Sequence, residues 1–306
     1  MPVLLKSCFL IVLSLFVLKI SALTFKRNIR PKISGAKKFV LTASQNRAIN
    51  TPKLDFKPTG KEPQTGAIEK QIIGGRKAQQ KKFPWQIHLN ADDSWVCGGS
   101  IISKNWVVTA AHCVDGGTSF VISAGGIDIT SNETGEIVQT STEAIVHEAY
   151  DATNITNDIG LIKLPNPYTL STNIFFIKLP SMAEASKTFV NALLTVSGYG
   201  MTRNTGPASN YLSFIDVKVI SNTACSNSFG APIPSTNICT AKYDFKQICS
   251  GDSGGPLVQK RADGHVLIGI VSFSGDICTE SPAGFTRVTS FLGWISSQTN
   301  IKVNEN

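Results

Sequence analysis

Between Phe83 and Phe273 the chain is a succession of short apolar runs broken by clusters of Gly, Asn, Asp and Pro. The runs fall at residues 85–89, 100–102, 106–109, 120–123, 137–139, 160–164, 193–197, 212–219, 257–258 and 266–273. Runs this short, bounded by turn residues, predict strands. Helical spacing occurs in one place, residues 290–299, where Phe291, Leu292, Trp294 and Ile295 share a face. Many short strands with one terminal helix predict an all-β body, a sandwich or a pair of barrels. There is no internal repeat.

The first 71 residues are different in kind. Lys6 precedes an apolar run over residues 8–18, interrupted by Ser14 alone and followed by Lys19, Ile20, Ser21 and Ala22. A basic start, a short apolar stretch and small residues at its end predict a secretory signal peptide over residues 1–22. No other stretch approaches the roughly 20 apolar residues of a membrane span, so no membrane association is expected. Residues 23–71 are rich in Lys, Arg, Thr, Asn and Gln, contain four prolines and show no apolar period. Such a stretch cannot bury enough surface to offset its ordering entropy, and it reads as a flexible basic segment ahead of the folded body.

Composition sharpens this division. The chain has 306 residues, of which 42% are hydrophobic and 16% charged, enough apolar material for one large or two small cores. The formal charge of +8 would suggest a nucleic-acid partner if it were evenly spread. It is not. Thirteen of the 29 Lys and Arg but only three of the 21 acidic residues precede Ile72, leaving sixteen and eighteen for the rest. The body carries a charge near −2, and no nucleic-acid partner is expected.

Cys8 lies in the signal peptide, which leaves six cysteines: Cys97, Cys113, Cys225, Cys239, Cys249 and Cys278. An even number in a secreted chain points to disulfides, with 15 pairings open on arithmetic alone. No C-x-x-C pair exists, which argues against a structural zinc site.

Three short contexts carry chemistry. Thr109-Ala110-Ala111-His112-Cys113 follows an apolar run, Asn157-Asp158-Ile159-Gly160 leads into another, and Gly251-Asp252-Ser253-Gly254-Gly255-Pro256 places a Ser among glycines. A Ser hydroxyl is a poor nucleophile unless an imidazole takes its proton. That imidazole in turn needs a carboxylate to hold its tautomer and stabilise its charged form. Glycines beside the Ser let the backbone turn so that N–H groups can face a developing oxyanion. Each context alone is ambiguous. In the order His, Asp, Ser, all three together strongly resemble the chymotrypsin/trypsin family of serine endopeptidases, over about residues 72–299.

The resemblance implies two packed antiparallel six-stranded β-barrels with a C-terminal α-helix, the N-terminal barrel over about residues 72–178 and the C-terminal barrel and helix over about 179–299. It implies His112 as general base, Asp158 as its orienting carboxylate, Ser253 as nucleophile and the N–H groups of Gly251 and Ser253 as oxyanion hole. Ser272 would support Asp158 and begin the substrate-pairing strand, with Phe273 in place of the family's usual Trp. The disulfides would pair Cys97 with Cys113, Cys225 with Cys239 and Cys249 with Cys278. Residues 23–71 would be a pro-segment, removed so that the new ammonium of Ile72 pairs with Asp252. A protein or peptide substrate, an activating protease and proteinaceous inhibitors are the implied partners of a monomer.

The chain departs from the family pattern in two places. Gln71, rather than Lys or Arg, precedes Ile72. Cutting after Lys70 would displace the ammonium by about one residue, roughly 3.5 Å, so activation calls for a cut after Gln71 or for trimming. The base of the specificity pocket is Gln247, not Asp, and a Lys or Arg substrate would leave its cation unpaired there. Ser274 and Ala283 stand at wall positions that are Gly where a large aromatic side chain enters, which implies medium apolar or polar side chains. No cofactor is expected. The acidic pair of a calcium loop is not recognisable near residues 125–136, so no metal is expected either. His88 and His265 read as strand or turn residues and His147 as a surface loop residue. Asn132 and Asn154 begin glycosylation sequons. The reading from another class is a non-catalytic relative kept for secreted binding, defence or venom action; the intact His, Asp and Ser weigh against it. The stretch from Ala283 to Val288 resembles arthropod digestive and parasite-secreted members of the family.

Overall fold

A computed structural model describes residues 72–242 and 246–305. The signal peptide, the pro-segment and Gln71 lie outside the described residues.

The first eight strands are β1 (Arg76–Lys77), β2 (Gln86–Ala91), β3 (Trp95–Ile101), β4 (Trp106–Thr109), β5 (Phe120–Ala124), β6 (Ile137–Ser141), β7 (Ala144–Val146) and β8 (Gly160–Lys163). Seven of them form one antiparallel sheet in the order β6-β5-β2-β3-β4-β8-β7. Its two edge strands are halves of one bent segment. Only Thr142 and Glu143 separate β6 from β7, so the chain itself carries the sheet from one edge to the other. Counted this way, the first barrel has six strands. Alternation explains the facing of β2: Ile87, Leu89 and Ala91 are fully buried on one side of the pleat.

The second half contains β9 (Leu193–Gly198), β10 (Ser213–Ile220), α1 (Asn222–Phe229), β11 (Asn237–Thr240), β12 (Pro256–Arg261), β13 (Gly264–Ser274), β14 (Ala283–Arg287) and α2 (Leu292–Thr299). The sheet order is β1-β10-β11-β14-β13-β12-β9, and a further β9–β10 pairing closes six of these strands into a barrel. The expected pair of six-stranded barrels with a terminal helix is the observed fold. One detail differs: the residues just after Ile72 do not join the first barrel, because β1 pairs with β10 of the second.

Four strands and a helix escaped the apolar pattern. β1, β7, β11 and β14 are two to five residues long, too short to show a period. In α1 only Cys225 is buried, so no apolar stripe marks it. Its ends are held instead by Ser221, whose side chain accepts from Ala224 N–H, and by Gly230 at φ 67°. Ile295 and Leu292 of α2 join the same buried cluster as the first barrel's Ile87 and Leu161, while Val196, Val217, Ile268 and Phe285 build the second barrel's core. Among the described residues no helix is long and apolar enough to cross a membrane.

Candidate active site

The three chemical contexts come from different elements. His112 lies in a single helical turn, Ala111–Cys113, just after β4. Asp158 immediately precedes Ile159 and β8, and Ser253 sits in the turn before β12. β4 and β8 are hydrogen-bonded neighbours, with Thr109 opposite Gly160, so their ends bring His112 and Asp158 together. His112 Nδ1 and Asp158 Oδ2 are 2.8 Å apart, and the His112 backbone N–H donates to Oδ1 at 3.0 Å.

Asp158 is fully buried while the His112 side chain keeps 31% of its exposure. Burial pushes the Asp158 carboxyl up, but the charge and hydrogen bonds of His112 and the hydroxyl of Ser272 outweigh it, so the net shift is downward. Ser272, on β13 of the other barrel, donates its hydroxyl to Asp158 Oδ2 at 2.6 Å. Thr286, on β14, donates to the Asp158 carbonyl, also at 2.6 Å. Asp158 of one barrel is thus held by two hydroxyls of the other, Ser272 at its carboxylate and Thr286 at its backbone carbonyl. Thr286 was not visible as a site residue in the sequence, since 128 positions separate it from Asp158 and no local motif connects them.

The turn around Ser253 is tight. Gly254 has φ 78°, and a Cβ there would lie 2.5 Å from the Gly98 carbonyl. Gly251 has φ 94°, in the left-handed region that favours glycine. Gly254 N–H donates to Val271 O at 2.8 Å, and the Ser253 carbonyl accepts from Gly98 N–H at 2.7 Å. Each flank of the turn is therefore tied to a different barrel. The N–H groups of Gly251 and Ser253 have no bonded protein acceptor among the described residues.

Asp252 points the other way and is completely buried. Its oxygens accept from Gly200 N–H at 2.8 Å and Cys249 N–H at 2.9 Å. No cationic side chain among the described residues faces it, and burial raises its carboxyl to about 7. Gly198 and Gly200 leave the room it occupies; a side chain at either would collide with its carboxylate. Ile72 is fully buried in the second barrel's core, and Ile73 bridges to Gln247.

Gln247 is fully buried, its Nε2 donating to the Ser281 carbonyl at 2.9 Å and its Oε1 accepting from Ile248 N–H. Ser274 and Ala283 are directly opposed on β13 and β14. The Phe273 ring covers Gly284, where any side chain would clash, and meets Phe229 edge-on at 5.4 Å. The three disulfides pair Cys97 with Cys113, Cys225 with Cys239 and Cys249 with Cys278. Both Cys97 and Cys113 sulfurs lie within 4.8 Å of a His112 ring nitrogen, but sulfurs already bonded to each other are not thiolate ligands for a metal. Asn132 and Asn154 are exposed.

His88 and His265 lie on β2 and β13. Burial lowers the His88 imidazole to about 4, and its ring meets Tyr199 edge-on. His147 is not a free surface residue: its ring packs on Phe291 and Trp294 beside α2. The loop before β6 does hold two close carboxylates, Glu133 and Glu136, gathered around Gly126. Both are engaged by protein donors, Glu133 by Ile127 and Asp128 N–H and Glu136 by Ser123.

Two antiparallel barrels, with a His bonded to a buried Asp at the end of one and a Ser in a glycine-rich turn tied to both, fit a serine endopeptidase of the two-barrel class. The chain belongs to the trypsin family, whose model matches residues 72–295. It is 36% identical to a chymotrypsin of Phaedon cochleariae over 230 residues, 74% of this chain and 82% of that one. It is 38% identical to brachyurin of Leptuca pugilator over 233 residues, 75% of this chain and 99% of that one. A solved structure of HL collagenase superposes with a TM-score of 0.68 at 37% identity, covering 76% of this chain and all of its own.

Proposed function

We propose that this is a secreted zymogen which, once cut before Ile72, hydrolyses peptide bonds through Ser253, His112 and Asp158. The observation that carries the reading is the fully buried Asp158 held on His112 Nδ1 at 2.8 Å. Asp158 keeps the imidazole in the tautomer that presents its other nitrogen to Ser253. Ser253 Oγ attacks the scissile carbonyl, and His112 takes the hydroxyl proton and gives it to the leaving nitrogen. Water then releases the acyl group by the same route. The N–H groups of Gly251 and Ser253 are available to receive the oxyanion, a donor pair in which each member contributes about 2.7–4 kcal/mol of barrier lowering.

Activation rests on Asp252. A buried carboxyl raised to about 7 is a group that a cation would stabilise strongly. The Ile72 ammonium, created by a cut after Gln71, is that cation, and pairing orders the turn carrying the oxyanion donors. An activator that is not trypsin-like fits Gln71. Gln247 supplies no charge to the pocket base, and the opposed Ser274 and Ala283 narrow it, which supports medium apolar or polar side chains in the substrate. The three disulfides support an oxidising, extracellular setting, and the exposed Asn132 and Asn154 support glycosylation there. Protein substrates, an activating protease and proteinaceous inhibitors are the partners of a monomeric enzyme.

The test is intact mass after exposure to a fluorophosphonate, for protein beginning at Ile72 and for Ser253→Ala. One added label on the parent alone is expected. Absence of label on folded protein with three disulfides would favour a non-catalytic binding role.

A further inference from the structure

The last two residues of β14 are polar and face opposite ways, as successive side chains of a strand do. Thr286 reaches Asp158 of the other barrel, so Arg287 falls on the side of Phe285 and the second barrel's core. There Arg287 is only 8% exposed. Its guanidinium donates to three backbone carbonyls: Nε to Ser235 at 2.9 Å, and the terminal nitrogens to Lys187 and Asn237, each at 3.1 Å. A guanidinium carries about five N–H donors, which leaves one spare on each terminal nitrogen. The carbonyls supply hydrogen bonds but no net charge. Among the described residues no carboxylate faces Arg287, and burial alone pushes the guanidinium below its ordinary value.

Arg287 lines a surface cavity of about 450 Å³, a volume suited to a small molecule. Lys187 and the hydroxyls of Ser186, Thr188, Ser221 and Ser290 line it too, and none of its lining residues among those described is acidic. Lys187 deepens the imbalance. Its ammonium shares Glu184 with Arg261, at 2.9 and 2.7 Å, so Lys187, Arg261 and Arg287 have one carboxylate between them. Ser221 caps α1 by accepting from Ala224 N–H, so the positive end of that helix meets the same cavity. A buried cation without a counter-charge is costly, and an anion admitted from solvent offsets that cost. Hydroxyls set around two cations suit a tetrahedral oxyanion, which accepts from several directions, better than a flat carboxylate.

We propose that this cavity binds a sulfate or phosphate group, free or carried as an ester on a sugar, through the two spare N–H groups of Arg287. Lys187 and the hydroxyls at the mouth complete the contacts. Binding is non-covalent. The site stands apart from the catalytic cleft, because Arg287 and Thr286 lie on opposite faces of β14 and only Thr286 meets Asp158. The proposal does not depend on the reading of Ser253 as a nucleophile.

The experiment uses the full chain carrying Ser253→Ala, which prevents self-digestion. Sodium sulfate, sodium phosphate and glucose 6-phosphate are titrated at pH 7 by calorimetry and by thermal melting, with sodium chloride at matched ionic strength as the reference. Three further variants are compared. Arg287→Lys keeps the charge but loses the planar fork, Lys187→Ala removes the second cation, and Ser186→Asp sets a repelling charge at an exposed position of the mouth. One saturable site is expected, half-filled below about 1 mM. Its affinity should fall roughly tenfold or more in Arg287→Lys and Ser186→Asp, and several-fold in Lys187→Ala. Tighter binding of the sugar phosphate than of free phosphate supports the site and assigns the group to a sugar; the opposite order supports it and assigns the free ion. Neither saturable heat nor a rise in Tm beyond that of chloride up to about 10 mM overturns the proposal. So does equal affinity in the parent and Ser186→Asp, which would mark a general salt effect. Ser186→Asp breaks no buried bond, so the test stays decisive even where Arg287→Lys does not fold.

Discussion

Asp252→Asn has opposite consequences before and after the chain is cut. In the uncut chain Asp252 is fully buried, meets two backbone N–H groups and faces no cationic side chain among the described residues. A carboxyl raised from 3.8 to about 7 makes its ionised form cost about 4 kcal/mol of folding stability at pH 8. The cost is absent below 3.8, grows between 3.8 and 7 and is complete above 7, so the uncut chain loses stability as pH rises through that window. Asn has the same shape and no charge, though its amide group faces one of the two N–H donors and forfeits about 1 kcal/mol. At pH 8 the substitution therefore stabilises the uncut chain by about 2–3 kcal/mol. In protein beginning at Ile72 the proposed mechanism pairs the new ammonium with Asp252, so Asn would leave it buried without a counter-charge, an expected loss of about 3–5 kcal/mol. The assay is urea denaturation at pH 5 and pH 8 of both chain forms, on a Ser253→Ala background that prevents self-digestion. A change of the same sign in both forms at pH 8 would refute the pairing of Ile72 with Asp252.

Three further predictions follow from other parts of the site and its supports. Ser272→Ala removes a 2.6 Å bond to a buried carboxylate, worth about 1.5–3 kcal/mol. In ester hydrolysis kcat/KM should fall roughly 10–100-fold, and the acid limb of its pH profile should move up, because Asp158 loses a donor that holds its carboxyl down. Gln247→Asp places a carboxylate at the pocket base; paired esters should show preference moving toward Lys and Arg by about tenfold or more, with lower stability in the absence of substrate. Glu184, nearly buried, is held at about 2, first by hydrogen bonds from Arg261 at 2.7 and 3.0 Å and also by Lys187. Glu184→Gln should cost on the order of 1–3 kcal/mol at pH 7. The loss should shrink as pH falls from 4.5 toward 2, where the parent's own carboxylate protonates, and thermal melts across that range would show it.

His112, Asp158 and Ser253 could each be found from a few neighbouring residues, because each sits in a local context whose chemistry is local: a turn after an apolar strand, an acid before one, a Ser between glycines. Strands such as β2 and β13 were legible because burial of one or both faces writes apolar residues at close intervals. β11 and β14, at four and five residues, and α1, with one buried side chain, left no such trace. His147 looked like a surface residue because nothing local predicts that Phe291 and Trp294, far along the chain, pack on its ring.

The sequence by itself therefore determined the kinds of groups available and the order in which they occur: a His after an apolar run, an Asp before one, a Ser among glycines, six cysteines outside the signal peptide, Gln247 and a non-basic residue before Ile72. Only the tertiary structure decided how those groups are held. The hydroxyls of Ser272 and Thr286 reach Asp158 from the other barrel, and Gly198 and Gly200 make the space for Asp252. The physical reason is range. Turn chemistry and strand period act over a few residues, whereas desolvation and hydrogen bonding of a buried charge depend on whatever the packed barrels bring within about 3 Å.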